Sequence, residues 1–179
     1  MNMTITEGLA ELKTLDKRIA KKRESIAPFL WRQEGVKDPI KENGGSVVWI
    51  QQERQAIYDL EKREVEIRTK IQMQNLFSTI KIEGIEKTVQ EWLNWRKDVA
   101  PGQKGFIENM RRVLNETRKN AMSKGLSIRG LTETPTDMRD IIINVDEAEL
   151  AKEAEQMETV LGTLDGRLSL NNATATIDV

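Results

Sequence analysis

The sequence predicts a mainly α protein: two long antiparallel helical hairpins, coiled-coil-like, with a small sheet of short strands at their base. Three observations predict it. Residues 146–179 read as one long amphipathic helix followed by a few extended residues. The same layout recurs half a chain earlier, over 60–82. Aromatics make up only 4% of the chain, which suits helices with one buried stripe better than a thick globular core.

Thr4 or Thr6 opens the first helix, with Glu7 in its first turn. Leu9, Leu12, Leu15, Ile19 and Ile26 mark its apolar side. Lys13, Lys17, Arg18, Lys21, Lys22 and Arg23 crowd the other side. Glu11, Asp16 and Glu24 are interspersed, so this reads as a solvated face before a phosphate-binding one. Pro28 ends the helix.

Residues 29–46 form a long loop, marked by Pro39 and the Asn43-Gly44-Gly45 turn. Its Phe29, Leu30 and Trp31 either plug the open end of a hairpin or contact another subunit. Ser46 is expected to cap the second helix, which runs to about Asn75. Its seam is Ile50, Ile57, Leu60, Ile67 and Ile71, interrupted by Glu53 and Glu64. Trp49 and Tyr58 lie off the seam and are expected to widen the buried face. Such a helix is about 43 Å long, so it must pair with the first helix or lie along another subunit.

Residues 78–82 are a strand candidate, ended by Gly84. A third helix is expected from near Ile85, carrying Val89, Trp92, Leu93 and Val99. Trp92 and Trp95 are neighbours on its surface, a pair that fits core or interface more readily than base stacking. Pro101-Gly102 is expected to interrupt it. A fourth helix then spans about 103–124, with Phe106, Met110, Val113, Leu114 and Ala121 inward. Arg111, Arg112, Arg118 and Lys119 point outward. Residues 125–136 read as a linker whose part 132–136 is a surface arm. Residues 140–145 are a β-prone run, Ile141-Ile142-Ile143 at its centre.

Asp146 is a good N-cap for the last helix. Leu150, Ala154, Met157, Leu161, Leu164 and Leu168 recur in alternating steps of four and three, the seam that a partner helix wants. Asn171-Asn172 is expected to break the helix, and 174–179 alternates like a strand. At an offset of 97 residues Ile67 falls on Leu164, Ile71 on Leu168, Asn75 on Asn172, Thr79 on Thr176 and Ile80 on Ile177. Each copy is a heptad-like helix, an Asn that tolerates a left-handed stop, then a strand. This predicts an internal duplication, 1–83 and 84–179, interlocked as a single domain. Both chain ends read as β-rich, so they are expected to be held in a sheet or by neighbouring subunits.

Net charge is −1, with no cysteine and no histidine. That balance gives no broad attraction to nucleic acid or anionic membranes. Disulfides, thiolate metal sites and the commonest general base are excluded. No apolar run approaches the roughly 20 residues that span a bilayer. Residues 1–7 lack a signal-peptide layout, so the protein is expected to be intracellular when made. There is no Gly-rich phosphate loop, nucleophile elbow or metal-binding run. The expectation is a non-enzyme with no cofactor, catalytic or metal site.

One further pattern bears on class. Val145-Asp146, Leu150 and Lys152, then Leu164-Asp165, Arg167-Leu168 and Asn172 with Thr176, resemble a bacterial and phage helical-hairpin family sometimes labelled septicolysin-like. Asn75 with Thr79, and the turn and helix over 84–96, are similar too. The resemblance covers most of the chain loosely and 145–179 best. It implies a continuous helix where this chain has Pro101-Gly102. It carries no assured activity. The toxin-like label implies membrane action, although the sequence holds no membrane-inserting segment.

Together these readings predict a structural, oligomerising protein, in the setting of a phage virion, made in the host cytoplasm. It would decorate or brace the shell or belong to the tail, with copies of itself or other virion proteins as partners. The interface candidates are Phe29, Leu30, Trp31, Trp92, Trp95, Ile177 and Val179. The rivals are a membrane-acting cytolysin-like protein and a nucleic-acid-binding accessory protein. The latter needs the basic faces of the first and fourth helices to converge.

Overall fold

The first helix starts where a threonine and a glutamate cap each other. The Thr4 hydroxyl accepts from the Glu7 N–H at 3.2 Å, and the Thr4 N–H donates to the Glu7 carboxylate at 2.7 Å. Backbone donors at a helix start that lack a partner are thereby satisfied. The same device opens the third helix, where Thr88 and Glu91 exchange bonds of 3.1 and 2.7 Å. The computed structural model describes residues 2–130, 133–134, 137 and 139–179. Of the arm expected over 132–136, only 133 and 134 fall among these.

The chain is mainly α. In order its elements are β1 (Asn2–Thr4), α1 (Ile5–Ile26), α2 (Gly45–Phe77), β2 (Thr79–Ile82), β3 (Ile85–Thr88), α3 (Val89–Asn94), α4 (Ala100–Ser123), β4 (Ile128–Arg129), β5 (Ile141–Ile142), α5 (Glu147–Thr174) and β6 (Thr176–Asp178). Two units result: Met1–Ser78 with Ser169–Val179, and Thr79–Leu168. β6 pairs antiparallel with β1, Met3 opposite Ile177, and belongs to the first unit.

In the first unit α1 and α2 run antiparallel. Glu11 pairs with Arg63 at 3.1 Å, while Lys22, farther along α1, pairs with Glu53 at 2.8 Å, earlier on α2. Partly exposed pairs of this kind contribute about 0–1 kcal/mol each. Apolar burial dominates. Leu12, Leu15, Ile67 and Ile71 pack with Met3, Ile5 and Ile177, and farther along Ile19 and Ile26 pack with Ile57. Each fully buried side chain of this size contributes about 1.5–3 kcal/mol. Leu9, expected inward, is 40% exposed, and Gly8 takes the buried position beside it. A Cβ built on Gly8 would lie 3.2 Å from Ile177 Cδ1 and 3.4 Å from Ile71 Cδ1.

Neither asparagine stops its helix. α2 runs on to Phe77 and α5 to Thr174. Among the described residues the one non-glycine with positive φ is Glu83. What ends α2 is Ser78, already extended at ψ 131° and leading into β2. Asn75 is instead a buried side chain of α2.

In the second unit β2 and β3 form a hairpin, so Ile85 begins a strand where a helix was expected. Glu83 and Gly84, at φ 50° and 82°, supply the two left-handed residues of a tight turn whose twist suits a hairpin. The helix after the hairpin does not break at Pro101. It passes from α3 through one π-helical turn, Trp95–Val99, into α4. The wider turn lets the Ala100 N–H reach back to the Trp95 carbonyl. Pro101 then stands in the first turn of α4, where its missing N–H and fixed φ are tolerated. Along α4, Ile107 and Ala121 are buried, whereas Phe106 and Val113, expected inward, are exposed. Asp146 caps α5 as expected, accepting from the N–H groups of Ala148 and Glu149 at 2.9 and 3.2 Å. Leu164 and Leu168 of α5 pack with Ile80, Ile82, Val89 and Trp92. In place of one small sheet there are separate two-stranded ladders, and β4 with β5 is parallel.

Gly8→Val would push a branched side chain into Ile177 and Ile71. Thermal unfolding should show a loss of about 1–3 kcal/mol, the usual cost of overpacking. An unchanged melting temperature would mean that β6 is not seated there.

Candidate assembly surfaces

The tip of the α1–α2 pair is built around Asp38. Its carboxylate accepts from the N–H of Ile40 at 2.9 Å, the N–H of Ser46 at 2.8 Å and the hydroxyl of Ser46 at 2.7 Å. Ser46 is therefore not the cap that its sequence position predicts. It lies inside the first turn of α2, after Gly44 and Gly45 at φ 89° and 85°, and a loop aspartate satisfies its donor. Hydrogen bonds from Ser46 and Ile40 hold the Asp38 carboxyl down at about 2. The negative charge also complements the positive end of α2.

This loop sorts the Phe29, Leu30 and Trp31 cluster into two roles. Phe29 turns inward and meets Trp49 edge-to-face, ring centres 4.8 Å apart. It closes the tip, and Trp49 widens the buried face as expected. Leu30 and Trp31 stay outside, 65% and 76% exposed, beside an open cleft of about 420 Å³ that Trp31 and Val36 line.

A second surface runs along α2 and was not anticipated. Tyr58, expected to widen the buried face, is 62% exposed. Val47, Val65 and Leu76 are exposed as well. At about 100° per residue these four fall within about 20° of one another, roughly 130° around the helix from the seam against α1. The sequence signal is the spacing 11, 7, 11. It escapes a search for steps of three and four, yet eighteen residues make five whole turns, so the row is straight.

In the second unit Trp92 is 2% exposed, and its indole N–H donates to the Ile80 carbonyl at 2.9 Å. Lys87 Nζ lies 5.0 Å from its ring centre. It is a core residue of that unit. Trp95 stands edge-on to it at 5.6 Å, half-buried, and bonds Gln103 across the π-turn at 3.1 Å. Trp95, Ile85, Met157 and Val160 wall an open cleft of about 440 Å³. Glu83, Lys87, Gln103 and Gln156 also line it, so the cleft beside the π-turn is of mixed character. Ile177 is buried and Val179 packs partly buried against the first unit's core, so both side chains are engaged within their own chain.

The chemistry of these surfaces is apolar contact. Glu7, Asp38, Glu91 and Asp137 have lowered pKa values. In the first three, backbone N–H donors in caps or turns are the main cause, and in Asp137 the Arg139 side chain. None is an acid poised near neutral pH. Among the described residues no group of three or more acidic side chains is placed to hold a metal ion, and no helix is long and apolar enough to cross a membrane. Lys22 and Arg23 on the basic side of α1 pair with Glu53 and Glu61 of α2. Compared with known protein families, curated proteins and solved structures, the chain matches none.

Asp38→Ala should fray the start of α2, seen as faster amide exchange at Ser46 and its neighbours. In the unaltered protein the Asp38 contribution is present above about pH 4, the unfolded carboxylate value. It fades as pH falls toward about 2. If the protection of the Ser46 amide, taken relative to an unstructured peptide at the same pH, is the same at pH 6 and pH 2, the carboxylate is not the cap.

Proposed function

We propose that the protein is a structural, oligomerising component of a phage virion, bracing or decorating the shell or sitting in the tail. The observation that carries this is the exposed row Val47, Tyr58, Val65 and Leu76 on a helix already paired on another side. Spaced 11, 7 and 11 residues apart, with exposed Gln51, Arg54, Thr69 and Gln72 between them, these side chains offer a partner separate apolar contacts along one line of the helix. The exposed Leu30 and Trp31 add a second such surface.

The finer architecture belongs to the same reading: two helical hairpins that arose by internal duplication. Three pairs at the 97-residue offset support it. Ile67, Ile71 and Ile177 meet in the first unit's core, and their counterparts Leu164, Leu168 and Ile80 meet in the second's. Each unit takes its helix pair of residues from one copy and its strand residue from the other. The second hairpin is supported by Arg96 with Asp165 at 2.7 Å and by the pairing of Arg118 with Glu147, an antiparallel order for the long third helix and α5.

Two measurements test the assignment. Mass spectrometry of purified virus particles should find the chain at structural copy number. Liposomes loaded with dye should stay intact in its presence. Release of the dye, or absence from the particles, would overturn the virion reading, and release would favour the membrane-acting rival.

A further inference from the structure

One side of the α1–α2 pair carries two cross-helix ion pairs with a gap between them. Glu11 pairs with Arg63 at 3.1 Å, and Lys22 with Glu53 at 2.8 Å. Trp49, Glu53, Ala56, Leu60 and Arg63 follow one another in steps of four and three, so they share one line of α2. The antiparallel register that the two pairs set places Ala56 across from Arg18. Where an acid would continue the row, α2 offers a methyl group. The acids nearest to Ala56 along α2 are engaged: Glu53 by Lys22, and Asp59 by the Gln55 amide at 2.9 Å. Among the described residues neither Arg18 nor Lys21 has a carboxylate within ion-pair distance. An open cleft of about 510 Å³ lies at this gap, walled by Arg18, Lys21 and Lys22 of α1 and by Trp49, Glu53 and Leu60 of α2.

We propose that this cleft binds a phosphate monoester with an aromatic body, of the kind and size of a nucleoside monophosphate. The charges set the headgroup. Three cations and one carboxylate leave two positive charges unmatched here, in a chain whose net charge is −1. A phosphate monoester carries about −1.5 to −2 at pH 7, where a carboxylate carries a single charge. Arg18 offers a planar fork that can grip two phosphate oxygens at once, and Lys21, less than a turn on along α1, adds a point charge beside it. The phosphate thereby takes the place in the ion-pair row that Ala56 leaves open. The walls set the body. Trp49 and Leu60 are half-buried and apolar. Phe29 meets Trp49 edge-to-face at 4.8 Å, and the indole still lines the cleft. A flat ring can lie offset on an indole. The volume falls within the roughly 300–1,000 Å³ of small-molecule sites. No residue of this cleft belongs to the exposed row on α2 or to the Leu30 and Trp31 surface, so binding here is independent of the virion reading.

Titration calorimetry of the full-length protein with adenosine monophosphate, adenosine and inorganic phosphate tests the site. The nucleotide should bind at least tenfold more tightly than either part alone, and added salt should weaken it. In nitrogen-15 spectra the Trp49 indole N–H should shift on binding, while that of Trp92, in the core of the second unit, stays in place. Two variants probe the gap. Arg18→Gln removes the fork at an exposed position. Ala56→Glu supplies the missing acid from the protein itself and gives Arg18 an internal partner. Each should keep the helical circular dichroism and weaken nucleotide binding at least tenfold. No binding of the nucleotide, or adenosine or phosphate alone binding as tightly, would overturn the assignment. So would either variant binding as tightly as the parent, or an indole shift at Trp92 in place of Trp49.

Discussion

Ile177 against Gly8 is the contact on which the first unit depends. The last strand must lie close over the start of α1 to reach β1, and Ile67 and Ile71 wall the same site. A side chain at position 8 would hold the strand off. The same close seating sets Ile177 in the core with Met3, Ile5, Ile67 and Ile71. The Ile5 N–H donates to the Ala175 carbonyl at 3.0 Å, so the start of the first helix and the end of the last are tied by backbone as well. The residues that close the first unit thus come from both ends of the chain.

The ends of α2 and α5 are decided by the strands next in the chain. An asparagine near a C-terminus is a reasonable stop because it tolerates the left-handed region. Here the backbone goes directly from helical to extended, and strand pairing holds the new direction. Helix starts are different: Thr4 with Glu7 and Thr88 with Glu91 are local capping boxes, with every participating atom inside four residues. Asp38 shows the intermediate case. Its two hydrogen bonds from Ser46 serve as a cap from eight residues away, a distance that loop conformation alone can close.

The surfaces divide in the same way. Phe29 and Trp31 are both aromatic and two residues apart, yet one is packed on Trp49 and the other faces outward. Trp92 and Trp95, neighbours on one helix, divide into a core residue and a cleft wall. Nothing in local composition separates the members of either pair. The row on α2 is legible in retrospect, since Val47, Tyr58, Val65 and Leu76 lie on a straight line of the helix. Which of the apolar lines on α2 would face α1 is a question of relative burial, and the richer isoleucine line takes that place.

By itself the sequence determined what depends on near neighbours: the mainly α class, the α1 seam from Leu12 to Ile26, the Asp146 cap and the apolar line on α5. Periodicity and capping act over a few residues, so they can be read in one dimension. Tertiary structure alone decided that β6 joins β1, that Ile85 starts a strand, that a π-turn carries the helix past Pro101, and that Tyr58 faces out. Those outcomes depend on which distant surface arrives to bury a given side chain or pair a given backbone group, and that contest is settled only when the whole chain is folded.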